Sequence, residues 1–494
     1  MRRRDEEGAA EERDATPVGP LTRREFLRMA GTIAGAVAGV GAGFGGVLAG
    51  CDGDQQTSNT TATIHPGQVT TTAATAPTST TVTVGPESGR DIKIGLVSAM
   101  SGPLALFGKA DDWWTTFASE AVPDGVLCGD GKLHRFAFLR RDSGSDPERA
   151  AKAAAGLIVD DRVDVIMCSG GADIVVPVAD QAEALVCPCL CSFVPWRSFV
   201  FGRAGAVDRF FRWSYAHAVG LEDIAANFTA MWDRLETNKT VGLIFADSIE
   251  GRMWADAATG LPAAAAAAGY EYILPGLYPV SGGDYASYIS EFKKNGCEIC
   301  CGALTTDAFV DFWRQSLEQE YRPKIVTIGE GLIFPQALEA VGATARNITA
   351  ESLWQPDWPY TDSITGKTCR ELAKDYMART GDQWIAPIAQ YAKFEWVVDV
   401  FRRVTNINSR REIIARVGST DIDTCLGPID FTARVDTADL NRSKRPAENV
   451  YKAPVGGAQW VEGDAFAYEP RLVTAVSSLG LPVSGDVEPM EYGS

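Results

Sequence analysis

The stretches GLIVDDRVDVIMCSGGAD (residues 156–173) and EFKKNGCEICCGALTTD (residues 291–307) contain the same order of features. In each, the end of an amphipathic helix precedes a short apolar run, and a glycine turn then leads into a new helix. A short apolar run between helices is typical of a strand buried on both faces of a parallel sheet. Because the same unit occurs twice along the chain, we predict two similar α/β lobes in series.

Further apolar runs surround both stretches. They are DIKIGLVSAM (91–100), HRFAFLRRD (134–142), VDVIMCSG (163–170), CPCLCSF (187–193), TVGLIFADS (240–248), YEYILPG (270–276), EICCGAL (298–304) and KIVTIGEG (324–331). Amphipathic segments between them predict helices over 146–161, 251–269, 285–296 and 307–320. In the first of these helices Asp146 is the predicted cap, and Pro147 lies in the first turn.

Alternating strands and helices predict a doubly wound parallel sheet. The folded body has about four hundred residues, which is long for a single core. The predicted fold is therefore α/β, with two doubly wound parallel-sheet lobes in series. One large sheet is the alternative, which the length of the chain disfavours.

The N-terminal stretch TRREFLRMAGTIAGAVAGVGAGFGGVLAGC (residues 22–51) pairs Arg23 and Arg24 with an apolar run that ends at a cysteine. Adjacent arginines before a Gly/Ala-rich run are typical of a twin-arginine export signal, and Leu48 to Cys51 resembles a lipobox. We predict a lipoprotein signal over residues 1–50 and lipidation at Cys51. A transmembrane anchor is the alternative, but the many glycines are poor helix formers.

Residues 51–90 are rich in threonine and poor in large apolar side chains. Such a composition buries too little surface to order a chain, so this segment is predicted to be a disordered tether. Together with the signal, it places the protein outside the cytoplasm, anchored to the cell membrane by lipid. The folded body is expected to begin near Asp91.

Charge and cysteine content narrow the range of functions. The formal charge is −18, and the first fifty residues contain equal numbers of basic and acidic side chains, so cleavage leaves it unchanged. An acidic body repels phosphate backbones, which argues against nucleic acid as a partner. Eleven cysteines leave ten after lipidation, and export permits disulfides whose pairing the sequence does not give. With three histidines and no zinc spacing, neither a metal nor a cofactor is expected.

Loops that follow the predicted strands are the candidate ligand positions, because parallel sheets bind small molecules beyond the carboxyl ends of their strands. They are SGPLALFG (101–108), SGGAD (169–173), SFVPW (192–196), DSIEG (247–251), LTTD (304–307) and GEG (329–331). Their glycines allow a ligand to approach the backbone closely, although each would serve a turn equally well.

At these loops the chain resembles a known family. IKIGLVSAMSGPLALFG (92–108), DSGSDPERAAKAAAGLI (142–158), VDVIMCSGGADIVVPVADQA (163–182) and GEGL (329–332) are similar, in order, to the branched-chain amino acid (leucine/isoleucine/valine) receptors of ATP-binding-cassette (ABC) importers. The resemblance covers about residues 91–432 and implies the type I periplasmic binding protein fold, in which a three-segment hinge joins the two lobes and a ligand cleft lies between them. It also implies capture of a small ligand, delivery to an ABC permease in the membrane, and a monomer without catalytic residues.

The resemblance implies domain boundaries as well. Lobe 1 is expected to comprise residues 91–215 and 352–429, lobe 2 residues 216–351 and 430–470, and a C-terminal tail residues 471–494. Three crossing segments are expected near Trp213 to His217, Glu351 to Trp354 and Gly427 to Thr432.

The first-lobe ligand positions follow from the same resemblance. Ser101 and Phe107 fall on the loop where the family has a serine and an aromatic wall. Gly171, Ala172 and Asp173 fall where the family reads a ligand carboxylate. The family's serine is missing there, although the main-chain amides remain. Phe193 and Trp196 replace a small residue and a threonine. As alternatives, Phe107 and Trp196 are core aromatics and Asp173 is a helix N-cap.

In the second lobe, Glu330 matches the family's acid that pairs with a ligand ammonium. Ser248 lies where an aromatic is expected but absent, and Thr305 lies where the family often has tyrosine. The alternative for Glu330 is a solvated turn carboxylate. A buried carboxylate at this place requires a donor, so the predicted ligand is a small nitrogenous molecule such as an amino acid, an amide or a urea-like compound.

Two other classes of function remain open. An exported enzyme is disfavoured because the sequence contains no G-x-S-x-G, H-E-x-x-H or phosphate-loop motif. A ligand sensor, or a receptor for aromatic or aliphatic acids, would use the same fold, because a fold alone does not assign function.

Overall fold

The computed structural model describes residues 85–202, 210–433 and 444–493 of the chain. The predicted signal, Cys51 and most of the predicted tether lie outside these residues. Within them, no helix has both the length and the apolar character needed to cross a membrane. Residues 87–89 are already tied to the body, since the Gly89 amide donates to the Leu133 carbonyl and the Leu133 amide to the Glu87 carbonyl.

The first sheet is parallel throughout and has the strand order β16-β7-β6-β5-β1-β4. Its strands are β1 (Ile92–Ser98), β4 (Phe136–Asp142), β5 (Val165–Cys168), β6 (Cys189–Pro195), β7 (Ser214–Val219) and β16 (Val450–Lys452). Four of these strands lie in the predicted apolar runs.

The second sheet has the order β10-β8-β11-β12-β13-β17-β18, with β9 also paired to β8. Its strands are β8 (Thr240–Ala246), β9 (Glu271–Ile273), β10 (Leu277–Tyr278), β11 (Ile299–Leu304), β12 (Ile325–Glu330), β13 (Thr349–Ser352), β17 (Gly456–Glu462) and β18 (Tyr468–Thr474). Strands β17 and β18 are antiparallel, so the prediction of a wholly parallel sheet is wrong for this lobe. A short hairpin connection joins them, and such a connection permits only antiparallel pairing.

Two short hairpins, thirteen α-helices and four short 3₁₀ helices complete the described fold. The hairpins pair β2 (Val126–Leu127) with β3 (Leu133–His134) and β14 (Asp421–Thr424) with β15 (Gly427–Asp430). The helices are α1 (Asp111–Ala121), α2 (Pro147–Val159), α3 (Ala172–Ala184), α4 (Trp196–Phe201), α5 (Leu221–Trp232), α6 (Ile249–Trp254), α7 (Leu261–Ala267), α8 (Ala286–Lys294), α9 (Thr306–Glu318), α10 (Pro335–Val341), α11 (Cys369–Thr380), α12 (Ala392–Arg403) and α13 (Arg410–Val417).

Local sequence signals explain several helix boundaries. Asp146 caps α2 as predicted, because its carboxylate accepts from the Arg149 amide at 2.7 Å. The predicted helix over 251–269 is instead two helices, α6 and α7. Asp256 accepts from the amides of Ala258 and Thr259 in the break, and such side-chain hydrogen bonds compete with helical ones.

Helices cover both faces of the first sheet, so its strand residues alternate between two apolar clusters. Leu96 and Met167 belong to the cluster that contains α1 and α12, while Val97 and Cys168 belong to the one that contains α2 and α3. Strands buried on both faces explain why the sequence shows continuous apolar runs there.

Sheet membership differs from the predicted lobe boundaries. Strand β7 extends to Val219, so the first crossing follows it at Gly220, and α5 then packs on the second sheet through a Trp232–Thr327 hydrogen bond of 2.8 Å. The second crossing follows Ser352, inside the predicted segment. Strand β18 extends past residue 470 into the predicted tail.

The third crossing lies later than predicted. Strand β16 falls within residues 430–470, which were assigned to lobe 2, yet it pairs with β7 in the first sheet. The Asn449 side chain, whose Nδ2 donates to the Ser214 carbonyl at 2.7 Å, holds it there. The chain therefore crosses at residues 453–455, between β16 and β17, because the residues after β15 first add an edge strand to lobe 1.

Candidate ligand site

The carboxyl ends of the two sheets face each other across a cavity. It is lined by Phe107, Gly171, Phe193, Pro195, Val219, Ile224, Glu250, Trp254, Glu330, Glu351 and Leu353. These residues come from both lobes and from two crossing segments, which is where a doubly wound fold is expected to bind ligands. The cavity volume is about 20 Å³, roughly the space of one water molecule.

A larger surface groove of about 440 Å³ lies at the opposite edge of the first sheet, where β1 and β5 begin. Its lining includes Arg90, which forms a 2.7 Å ion pair with Asp164. Because ligands of parallel sheets bind at the carboxyl ends of strands, we place the candidate site in the cavity between the lobes.

The first-lobe wall combines aromatic side chains with the N-terminus of α3. Phe193 lies at an irregularity in the pairing of β6 with β7 and has a φ of 51°. Gly171 has a φ of 82° and directly precedes α3. Phe107 packs edge-on against Phe334 of the second lobe, with ring centroids 5.1 Å apart. Positive φ at a non-glycine residue costs energy and is concentrated at functional sites.

The second-lobe wall is acidic. Glu330 ends β12 with a φ of 64°, and its amide donates to Oε1 of Glu351 at 2.7 Å. Glu351 lies on β13 and is 7% exposed, while its other oxygen, Oε2, has no hydrogen-bond partner among the described residues. The Glu351 carboxylate thus lies against the main chain of Glu330 on the neighbouring strand.

A third carboxylate crosses between the lobes. Oε2 of Glu250, on α6, accepts from the Ala172 amide at the N-terminus of α3 at 3.2 Å. Beside it, Asp173 of α3 accepts from the Ile249 amide at 3.1 Å. A helix N-terminus attracts anions, so the protein's own Glu250 lies in the position where the resemblance predicts a ligand carboxylate. Asp173 is an interlobe contact rather than the predicted N-cap; Gly171 occupies that position.

Burial is the main influence on the ionisation of the three glutamates. Burial raises the pKa of Glu250 and of Glu351 to about 7, and the hydrogen bonds from Ala172 and Glu330 oppose this rise only partly. Burial, together with the charges of Glu250 and Asp173, raises the pKa of Glu330 well above its ordinary value. No described residue lining the cavity is basic. Buried carboxyls without a cation favour the protonated form.

Several predicted site residues lie elsewhere. Ser101 donates to Asp142 at 2.6 Å on an exposed loop. Ser248 caps α6 and Thr305 caps α9, so both hydroxyls are used within their own helices. Trp196 is fully buried, and its Nε1 donates to Glu222 at 2.8 Å. None of these four lines the cavity, whereas Phe107, Gly171, Phe193 and Glu330 do. The ligand contacts themselves stay predictions.

Among the lining residues that sequence reasoning did not assign to the site, three have acidic or aromatic side chains, namely Glu250, Glu351 and Trp254. Glu250 lies in the DSIEG loop and Glu351 in a predicted crossing segment, so their positions were indicated but their roles were not. Trp254 provides an aromatic wall one helical turn after Glu250, close to where the family aromatic was expected. A carboxylate on a predicted crossing segment is the signal that would have revealed Glu351.

Two α/β lobes with a cavity between their strand ends define a two-lobed ligand-binding protein. The family model described as "Periplasmic binding protein" matches residues 91–442, so the chain belongs to the periplasmic binding protein family. Among curated proteins, no relative matches the chain.

Solved structures show the same fold. The isoleucine complex of the branched-chain amino acid transporter substrate-binding protein LivJ from Streptococcus pneumoniae has a TM-score of 0.61 and 14% identity, and covers 78% of this chain and 99% of that one. The leucine-binding protein LivK from Thermotoga maritima has a TM-score of 0.60 and 15% identity, with 78% and 98% covered. A Rhodopseudomonas palustris ABC transporter solute-binding protein in complex with 3,4-dihydroxybenzoic acid has a TM-score of 0.59 and 15% identity, with 81% and 98% covered.

Proposed function

We propose that the protein is the extracytoplasmic receptor of an ABC importer, and that it captures a small nitrogenous cation or amide between its lobes without chemical change. The observation that carries the proposal is the convergence of Glu250, Glu330 and Glu351 on one cavity whose described lining contains no basic side chain. Membership of the periplasmic binding protein family supports the receptor role. Differential affinity of the ligand for closed lobes would shift the hinge equilibrium, and the closed form would dock on the permease.

The charge of the ligand follows from the energetics of the glutamates. Three carboxyl groups in one apolar cavity lose their hydration and repel each other when ionised, which raises their pKa values. An ammonium, amidinium or amide donor placed among them would supply the missing partner, above all for Oε2 of Glu351. A small anion would be repelled by any of these carboxylates that is ionised.

The position of Glu250 argues against a ligand carboxylate. This side chain accepts from the Ala172 amide, so a zwitterionic amino acid would have to displace it. The rest of the lining is aromatic or aliphatic, with Phe107, Phe193 and Trp254 around the acids. An apolar or planar amine therefore fits better than an amino acid. Because the cavity volume is about 20 Å³, entry requires the lobes to open or Glu250 to swing away.

Thermal shift and calorimetry with matched probes test this proposal, because a ligand that binds the folded state raises its apparent stability. Three probes share similar aliphatic chains: 3-methylbutylamine carries an amine, 4-methylpentanoate carries an acid, and leucine carries both groups. Benzylamine and benzoate form a matching aromatic pair. We expect the amines to stabilise most. Preference for the acids would contradict the proposal and favour a receptor for aromatic or aliphatic acids.

The proposed location rests on the sequence alone. Arg23, Arg24 and the lipobox at Cys51 support export and lipid anchoring. Cys51→Ala is expected to release the protein from membranes without changing the affinity for the best probe. Mass spectrometry that finds native Cys51 without lipid would contradict the anchor.

A further inference from the structure

Three cysteines converge beneath the cleft in the first lobe. Cys168 ends β5 and is the register partner of Cys191 on β6. Cys189 lies two residues earlier on β6, so its side chain shares a face with that of Cys191. The Sγ atoms are 3.5 Å apart for Cys168 and Cys191, 3.7 Å for Cys189 and Cys191, and 4.0 Å for Cys168 and Cys189.

The cluster is closed to water. All three residues are 0% exposed and belong to the apolar cluster between the first sheet and the helices α2 and α3. Among the described residues, no fourth cysteine, histidine or carboxylate joins the group. The sulfur atoms are therefore the only ligands of this kind that the described surroundings offer.

The spacing of the sulfurs suits a metal ion. Three atoms at these separations lie on a circle of radius about 2.2 Å, close to a metal–thiolate bond of about 2.3 Å. An ion near the plane of the triangle would reach all three sulfurs without moving the strands. Structural zinc almost always takes four ligands, and a site from which water is excluded supplies no fourth. Soft thiolate ligands favour ions such as Cu(I).

We propose that Cys168, Cys189 and Cys191 form a three-coordinate thiolate site for a soft monovalent ion of the Cu(I) class. On binding, each thiol releases its proton to solvent and forms one metal–sulfur bond, while the ion keeps its oxidation state. The sequence predicted no metal site, since these cysteines lack a recognisable ligand spacing and meet through strand pairing.

A positive charge lies next to the cluster. Nζ of the buried Lys393, on α12, donates to the main-chain oxygen of Cys168 at 3.3 Å and lies 3.3 Å from Oε1 of Gln390. A thiolate complex of a monovalent ion is anionic, and a neighbouring ammonium lowers the cost of burying it.

The metal site would cross-link two strands that support the first-lobe wall of the cavity. Cys168 directly precedes residues 169–171, and Cys191 lies two residues before Phe193 on β6, so both strands lead directly to residues that line the cavity. Linking β5 to β6 through a metal would fix these residues relative to each other. This role is structural and does not depend on the ligand proposed above.

Because the folded site is closed, the ion must enter before or during folding. The test is to express the full chain in copper-supplemented cells, purify it without oxygen, and measure copper per chain together with sulfur coordination by X-ray absorption. We expect about one copper per chain with three sulfur neighbours at about 2.3 Å. Cys189→Ser and Cys191→Ala should each lower the copper content at least fivefold, whereas Cys187→Ser, which removes another buried thiol of the same segment, should retain it.

Measurements on the wild-type chain test the metal site even if a variant fails to fold. Copper-free protein with three free thiols overturns the proposal, as does a disulfide between any two of these cysteines found by mass spectrometry. Copper bound equally by the parent and by Cys191→Ala also overturns it, because the ion then lies elsewhere.

Discussion

The two walls of the cavity are built from the same kind of element but carry opposite chemistry. The first-lobe wall presents main-chain amides at the start of α3 and the rings of Phe107 and Phe193. The second-lobe wall presents Glu250 and Glu330, with Glu351 beside them on β13. The N–H donors of the first wall suit an anion, whereas the acidic side chains of the second wall suit a cation. Where the lobes meet, the Glu250 carboxylate of the second wall accepts a hydrogen bond from the Ala172 amide of the first wall.

This difference separates the two lobes by role. The first lobe already has a partner for its helix end, so we propose that it contributes mainly shape and apolar contact to ligand binding. The buried carboxyl groups of the second lobe have no basic neighbour among the described lining residues, and we propose that they determine which ligand is bound. Variants of the two walls should therefore change affinity by different amounts.

Loss of charge at Glu330 is expected to have the largest effect. Removing one partner of a buried charged hydrogen bond costs about 2–5 kcal/mol, so Glu330→Gln should weaken binding of the best amine probe by tenfold or more. Calorimetry measures the change. The matched control is Glu395→Gln, because Glu395 is also buried with a pKa raised by burial to about 7, but it accepts from Ser363 and Cys425 away from the cavity.

A second variant separates binding from folding at the same position. Glu330 has a φ of 64°, a conformation that glycine adopts without strain. Glu330→Gly should therefore bind the amine at least as poorly as the glutamine variant while unfolding at the same temperature or higher. Full affinity in either variant would show that Glu330 does not contact the ligand.

The acidic wall should also make stability depend on pH. Burial raises the pKa of Glu351 from 4.5 in the unfolded chain to about 7, so the folded protein holds the extra proton. Its contribution is complete below pH 4.5 and is lost as the pH rises to and through about 7, an effect on the order of 3 kcal/mol. Without ligand, the unfolding temperature is expected to fall over this range, and Glu351→Gln should flatten the fall. An unchanged slope in this variant would indicate that Glu351 is ionised in the folded protein.

Most strands and helices could be predicted from the sequence because they depend on local patterns of apolar and capping residues. Continuous apolar runs such as IKIGLVS predict strands buried on both faces, and Asp146 with Pro147 predicts the start of α2. The third crossing was misplaced because β16 is only three residues long and is stabilised by pairing with a distant strand. A strand of that length has no pattern of its own.

Site residues were predictable where they follow a strand directly and unpredictable where they meet across the cleft. Glu330 ends β12 and Phe193 lies near the end of β6, so their positions follow from the topology. The contact between Glu250 and the Ala172 amide joins residues of different lobes, and no local pattern predicts it. The convergence of Cys168 with Cys189 likewise depends on which strands are neighbours.

A substitution at Glu250 should shift the ligand preference of the cavity from an amine toward an amino acid. Glu250→Ala frees the Ala172 amide, so leucine should bind about tenfold better relative to 3-methylbutylamine than it does in the parent, since hydrogen bonds to charged groups contribute about 1.5–3 kcal/mol. Calorimetry with both compounds gives the ratio. Ser248→Ala is the control, because it removes the cap of the same helix but not the carboxylate. If the ratio is the same in Glu250→Ala as in the parent, the end of α3 does not select between the two ligands.

The smallest effect is expected from the aromatic contact between the walls. The rings of Phe107 and Phe334 meet edge-on across the cleft at 5.1 Å, an arrangement worth about 0.5–1.5 kcal/mol beyond its buried area. Phe107→Leu retains an apolar side chain but loses this geometry, so the closed form should be less favoured and the amine probe should bind about two- to tenfold more weakly. Phe117→Leu is the control, since Phe117 makes a similar edge-on contact with Tyr391 inside the first lobe at 5.0 Å. If both variants lose affinity equally, the effect comes from general loosening of lobe 1. If only Phe107→Leu does, the aromatic pair holds the two walls together.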